Sequence, residues 1–122
     1  MGAPPKRRPA VLRARLRVLR GQEVALGPGK VALLEAIHRA GTIAAAARGL
    51  GMSYMRAWTL VRTMNRSFRS PLVRAARGGA ARGRTGLTPA GSAIVSLYRE
   101  MERLGLRAAA PPWARLRRRL KP

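Results

Sequence analysis

The chain has 122 residues, enough for one domain with a single modest core. Lys and Arg total 26 against four acids, a net charge of +22, and there is no cysteine. Disulfides and cysteine metal sites are thereby excluded. The charge points to a polyanionic partner, because a compact state this basic repels itself.

The acids are Glu23, Glu35, Glu100 and Glu102, and aspartate is absent. Arginine far outnumbers lysine; a coding bias explains part of that excess but not the clustering of arginines between 74 and 84.

Residues 1–10 are proline-rich and basic and are expected to be disordered. Leu12, Ala14, Leu16 and Val18 then alternate with Arg13, Arg15 and Arg17, a period of two that predicts a half-buried strand over 11–19. The same arginines interrupt every apolar run, so no signal-peptide core or membrane span forms. A soluble cytoplasmic, nucleoid-associated protein with no membrane partner is expected. Arg20-Gly21-Gln22 reads as a turn and Glu23–Leu26 as the returning strand of a hairpin. Gly27-Pro28-Gly29 opens a first helix over 29–40, with Leu33, Leu34 and Ile37 facing inward and Gly41 as its C-cap.

Thr42 is the predicted N-cap of a second helix, in which Ile43, Ala46, Ala47 and Leu50 share one face. Gly49-Leu50-Gly51-Met52 turns the chain, and Ser53 caps a third helix over 53–66. At about 100° per residue, Ala57, Leu60, Val61, Met64 and Phe68 fall on its apolar arc. Tyr54 and Trp58 lie at the edge of that arc. Trp58 is assigned to the core, and Tyr54 is placed to send its hydroxyl to a phosphate. The opposite arc holds Met55, Arg56, Thr59, Arg62, Thr63 and Arg66. Alone, such a face could be an ordinary solvated one. Directly after a short helix and a glycine turn it suits a recognition helix in a major groove.

Ser70-Pro71 ends the helical region, and Leu72-Val73 and Leu87 frame a hairpin. Its glycines, Gly78, Gly79, Gly83 and Gly86, interleave with Arg74, Arg77, Arg82 and Arg84, which can reach phosphates or a narrow minor groove. The run Gly78-Gly79-Ala80-Ala81-Arg82-Gly83-Arg84-Thr85 is close to a phosphate-binding loop. Arginine replaces its lysine, Gly86-Leu87-Thr88-Pro89 delays the helix, and no aspartate can serve magnesium, so an NTPase is rejected. The single histidine, His38, reads as a surface or packing residue. No nucleophile–base set or metal-ligand spacing is present, so neither enzyme activity nor a cofactor or metal is expected.

Thr88-Pro89 starts a fourth helix. Ala90, Ile94, Leu97, Met101 and Leu104, flanked by Tyr98, form a seam of about two heptads. It suits packing on the domain's own body or a homodimer contact. Gly105 is the expected end, and 106–122 the expected flexible basic tail, with Trp113 placed to anchor it. The domain proper is then 11–105. Its class is α+β, mostly α: a winged helix-turn-helix with an N-terminal β-hairpin and a C-terminal dimerisation helix.

From about residue 16 to 104 the chain resembles the DNA-binding half of the ModE-type molybdate-responsive transcription regulators, a LysR-like winged helix. Gly27-Pro28-Gly29-Lys30, Leu33-Leu34-Glu35-Ala36-Ile37, Gly41-Thr42-Ile43, Gly51-Met52-Ser53-Tyr54, Arg56-Ala57-Trp58, Met64-Asn65-Arg66, Pro71-Leu72-Val73 and Leu87-Thr88-Pro89-Ala90-Gly91 carry the resemblance. It implies duplex DNA binding and a homodimer, with Ser53, Tyr54, Arg56, Thr59 and the wing arginines as contacts. Full-length members of that family also carry C-terminal oxyanion-binding modules. This chain ends soon after the fourth helix, so molybdate binding is not expected of it.

The leading reading is thus a sequence-specific transcription regulator. A nucleoid-type architectural protein with little sequence preference is the alternative, favoured by the charge and the basic ends. A protein-tethering winged helix is a third, opposed by the basic front of the third helix, where exposed apolar anchors would be needed.

Overall fold

A computed structural model describes residues 2, 8–75 and 84–122. The chain forms β1 (Val18–Arg20), β2 (Glu23–Leu26), α1 (Pro28–Ala40), α2 (Ile43–Gly49), α3 (Tyr54–Ser67), β3 (Val73–Ala75), β4 (Thr85–Leu87) and α4 (Pro89–Arg117). The strands make two antiparallel hairpins, β1–β2 and β3–β4. The second pairs Val73 with Leu87, Arg74 with Gly86 and Ala75 with Thr85. This is the expected winged helix-turn-helix.

The core sits where α1, α2, α3 and the start of α4 meet. Val31, Leu33, Leu34, Ile37, Met64, Leu72 and Tyr98 are its largest fully buried side chains. Helix α1 begins with Pro28 in its first turn and ends at Gly41, whose φ of 78° closes the helix through a bond from its N–H to the Ile37 carbonyl (2.9 Å). Gly51, φ 68°, turns the chain between α2 and α3. The alanines Ala46, Ala47 and Ala57 are buried, which lets the two helices of the motif approach closely.

Two boundaries differ from the sequence reading. The first strand is not 11–19 but only Val18–Arg20. Its partner is four residues long and stops at Gly27-Pro28, so nothing lies opposite 11–17 to complete a ladder. The alternation still has a structural meaning, because Ala14 and Leu16 are half-buried between exposed arginines and Leu16 packs on the core.

The second difference is larger. The chain does not become a flexible tail at Gly105; α4 continues to Arg117. One helical glycine costs only about 1 kcal/mol against alanine, and Leu106, Arg107 and three alanines follow it. Pro111 and Pro112 stand inside the helix, each removing one backbone donor.

Candidate nucleic-acid interface

The helix-turn-helix is locked by its own caps. Thr42 Oγ1 accepts from the N–H of Ala45, and Ser53 Oγ accepts from that of Arg56, each at 3.1 Å. Both hydroxyls are thus acceptors toward their own helix and keep an O–H to donate outward. In the turn, the N–H of Met52 bonds to the Ala47 carbonyl at 3.0 Å, which fixes how α3 leaves α2.

On α3 the buried side is Ala57, Val61 and Met64. Tyr54, Met55, Arg56, Thr59, Arg62 and Arg66 are exposed, and Thr63 is half-buried with its hydroxyl donating to the Thr59 carbonyl (2.9 Å). The structure thus brings together on one accessible face the front-arc residues expected from the sequence.

Trp58 departs from that reading. It is not a core residue: it is 38% exposed, and the Arg62 guanidinium carbon lies 5.2 Å from its ring centroid. The buried side of α3 is taken by Ala57, Val61 and Met64, and Trp58 lies off that side, at the edge where it meets solvent.

Asn65, which the sequence offers only as part of the Met64-Asn65-Arg66 segment, has a structural role of its own. Its Oδ1 accepts from the N–H groups of Leu72 (2.8 Å) and Val73 (3.1 Å), and its Nδ2 donates to the Val73 carbonyl (3.1 Å). One side chain therefore ties the end of α3 to the first strand of the wing. The available signal was an asparagine inside a helix, where it is a poor former and needs a partner.

The second strand is tied elsewhere, by a bond from the Thr85 N–H to the Gly41 carbonyl (2.7 Å). Arg74 is exposed on β3. Arg84 is also exposed, with its guanidinium resting against Gly41 at the C-terminal end of α1, where a cation is favoured. Arg77 and Arg82 lie outside the described residues.

Helix α4 divides the expected seam in two. Ala90 and Ile94 are half-buried against the core, whereas Leu97, Met101 and Leu104 are 54%, 47% and 54% exposed. Tyr98 does not belong to that seam. It is 1% exposed, and its hydroxyl donates to the Leu16 carbonyl at 2.8 Å. Burial pushes its phenol pKa up.

Beside it, Arg99 pairs with Glu35 of α1 and with Glu102 (2.6 Å). The Arg99 hydrogen bond holds the Glu35 carboxyl below its ordinary range. Glu23 pairs with Arg20 at 3.8 Å. The four acids lie on β2, α1 and α4, leaving α2, α3, β3 and β4 without a carboxylate. The exposed arc of α3 can therefore donate hydrogen bonds to an anion or to base edges without competition from a carboxylate on α2, α3, β3 or β4.

Among the described residues no helix is long and apolar enough to cross a membrane, and no cluster of three or more His, Cys, Asp or Glu is placed to hold a metal ion.

Comparison with known proteins gives a consistent picture. The family of bacterial regulatory helix-turn-helix proteins of the lysR family matches residues 29–92. The chain is 48% identical over 77 residues to the molybdenum-pterin-binding protein MopB of Rhodobacter capsulatus, covering 63% of this chain and 28% of that protein. It is 44% identical over 78 residues to the molybdenum transport protein ModE of Azotobacter vinelandii, covering 64% and 29%. With the DNA-binding transcriptional dual regulator ModE of Escherichia coli K12 it shares 34% over 77 residues, covering 63% and 29%. The chain thus spans less than a third of the length of these relatives. Among solved structures, the CbnR DNA-binding domain, from a crystal structure of its complex with DNA, has the same fold. Its TM-score is 0.55 at 23% identity, over 72% of this chain and 95% of that one. With more than half its length matched and the helix-turn-helix and wing in place, the chain belongs to the bacterial regulatory helix-turn-helix proteins of the lysR family.

Proposed function

We propose that this chain is a sequence-specific transcription regulator that binds double-stranded DNA in the cytoplasm as a homodimer. Helix α3 enters the major groove, and the wing lies on the backbone or in the minor groove. The observation that carries this reading is the exposed arc of α3, cationic and hydroxyl-bearing, with no carboxylate on α2, α3, β3 or β4. Met55, Arg56, Thr59, Arg62, Thr63 and Arg66 face base edges and adjacent phosphates. Thr42, Ser53 and Tyr54 donate to phosphates from the helix starts. Arg74, Arg77, Arg82 and Arg84 serve the wing. The membership just described, and relatives named as transcription regulators, support the same assignment.

The dimer reading rests on Leu97, Met101 and Leu104, which line an exposed stripe of α4 apart from the face that carries Tyr98. An apolar stripe of this kind gains by being covered.

The test is a titration of the chain against duplexes selected from a random pool and against scrambled duplex, over a range of salt. A regulator prefers its selected site by about three decades or more. With about six phosphates neutralised, log K falls with log[salt] at a slope near −5. Equal affinity for both duplexes would instead make the chain an architectural DNA-binding protein, and a flat salt response would overturn DNA binding of either kind.

A further inference from the structure

We infer that Trp58 is a positioning residue for base readout: its indole holds the Arg62 guanidinium over the exposed arc of α3, where Arg62 donates to the O6 and N7 acceptors of a guanine. This rests on the placement of α3 in a major groove proposed above, and it narrows that reading to one base contact and the ring that prepares it.

Trp58 and Arg62 are four residues apart, so they stand one above the other on the same face of α3. Trp58 is not consumed by the core, since the residue is 38% exposed. The 5.2 Å separation lies within the range of a cation–π contact. Among the described residues Arg62 takes part in no ion pair, so no carboxylate occupies its donors.

A cation–π contact engages the charge of a guanidinium without accepting its N–H hydrogen bonds, and the forked N–H groups fit two acceptors side by side. In the major groove only guanine offers them, at O6 and N7. A lone arginine on a helix must surrender several rotatable bonds when it docks; one already lying on a ring has surrendered part of that freedom beforehand.

Binding of five chains to the selected duplex and to scrambled duplex tests the inference: wild type, Trp58→Ala, Trp58→Phe, Arg62→Ala and the double variant Trp58→Ala/Arg62→Ala. Arg62→Ala is expected to weaken the selected site about 10- to 100-fold and scrambled duplex far less. Trp58→Ala is expected to weaken the selected site about fivefold, the size of one exposed cation–π contact. Trp58→Phe should recover most of that loss. The double variant should be no weaker than Arg62→Ala, because the ring acts through the guanidinium. Replacing guanines of the selected site with 7-deazaguanine, one at a time, should locate one position where wild type loses affinity and Arg62→Ala does not.

Independent, multiplying effects of the two single variants would overturn the positioning role, as would an unchanged affinity for Trp58→Ala. The absence of any guanine position sensitive to Arg62 would overturn the readout. Failure of the wider functional reading looks different: wild type itself would then fail to separate selected from scrambled duplex.

Discussion

A single methyl group at position 91 would meet the backbone of Leu72. A Cβ built on Gly91 lies 3.0 Å from the Leu72 carbonyl carbon and 3.2 Å from its Cα, and closer still to the oxygen. Backbone atoms cannot rotate away as a flexible side chain can. Gly91→Ala is therefore expected to lower stability by about 1–3 kcal/mol, the usual range for overpacking, measured by thermal or denaturant unfolding. From the sequence Gly91 was only one letter of a motif, because the atom it must avoid is nineteen positions away in the chain. Trp58 shows the same limit. Helical angles put it at the edge of the apolar arc, and only the neighbouring elements decide to which side an edge residue turns. Its exposure sets a second expectation: Trp58→Ala will cost well under the roughly 3–5 kcal/mol typical of a buried aromatic. Arg56, by contrast, was legible, since its place on the polar arc follows from spacing alone. Arg56→Ala is expected to cost about 1–3 kcal/mol on the selected duplex and little on scrambled DNA. A loss of equal size on both would assign Arg56 to the backbone.

The elements themselves were largely readable where local chemistry fixes them. Thr42, Ser53 and Thr88 are side-chain caps at the starts of α2, α3 and α4, and Pro28 and Pro89 stand in the first turns of α1 and α4. Ends set by tertiary partners were less readable. Strand β1 is short because β2 is short. Helix α4 runs past Gly105, whose exposed helical position carries only the ordinary cost of a glycine.

The junction between α3 and the wing could not be read from spacing, because it is made by one side chain reaching the next element. Asn65→Ala removes three hydrogen bonds to Leu72 and Val73. We expect a loss of about 2 kcal/mol of stability, from contacts of roughly 0.5–1.5 kcal/mol each with partial rescue by water. Amide exchange should rise first at Leu72 and Val73, before the core of α1. Unchanged exchange there would mean that the wing is held by its other attachments.

At the scale of the molecule, α4 serves two masters. The face bearing Tyr98 closes the core, and Leu97, Met101 and Leu104 remain outside. Met101→Glu is expected to shift sedimentation toward the monomer and to weaken binding to the selected duplex, while the far-ultraviolet spectrum stays helical. A monomeric wild type would remove the homodimer from the proposal.

The Arg99–Glu35 contact joins α4 to α1 and gives stability a pH dependence. The Glu35 carboxyl ordinarily titrates near 4.5, and the fold lowers it. Its contribution is therefore fully present above about pH 4.5 and is lost as pH falls through the depressed value. Both partners are partly solvated, so added salt should shrink the effect. The stability difference between wild type and Glu35→Gln should shrink as pH falls below about 4.5, and a difference that stays constant there would locate the effect in packing.

The two strands of the wing are fastened to different parts of the body: β3 to the end of α3 through Asn65, and β4 to the α1–α2 corner through Gly41. A hairpin fastened on both sides cannot pivot at its base without breaking one attachment. Under the proposed DNA-binding role, α3 and the wing would act as the jaws of a caliper set to one opening. A duplex would then be selected by its shape as well as by its base sequence. B-form DNA offers a wide major groove. An A-form duplex, with a deep and narrow one, should be refused, so double-stranded RNA of the same sequence is expected to compete poorly even at low salt.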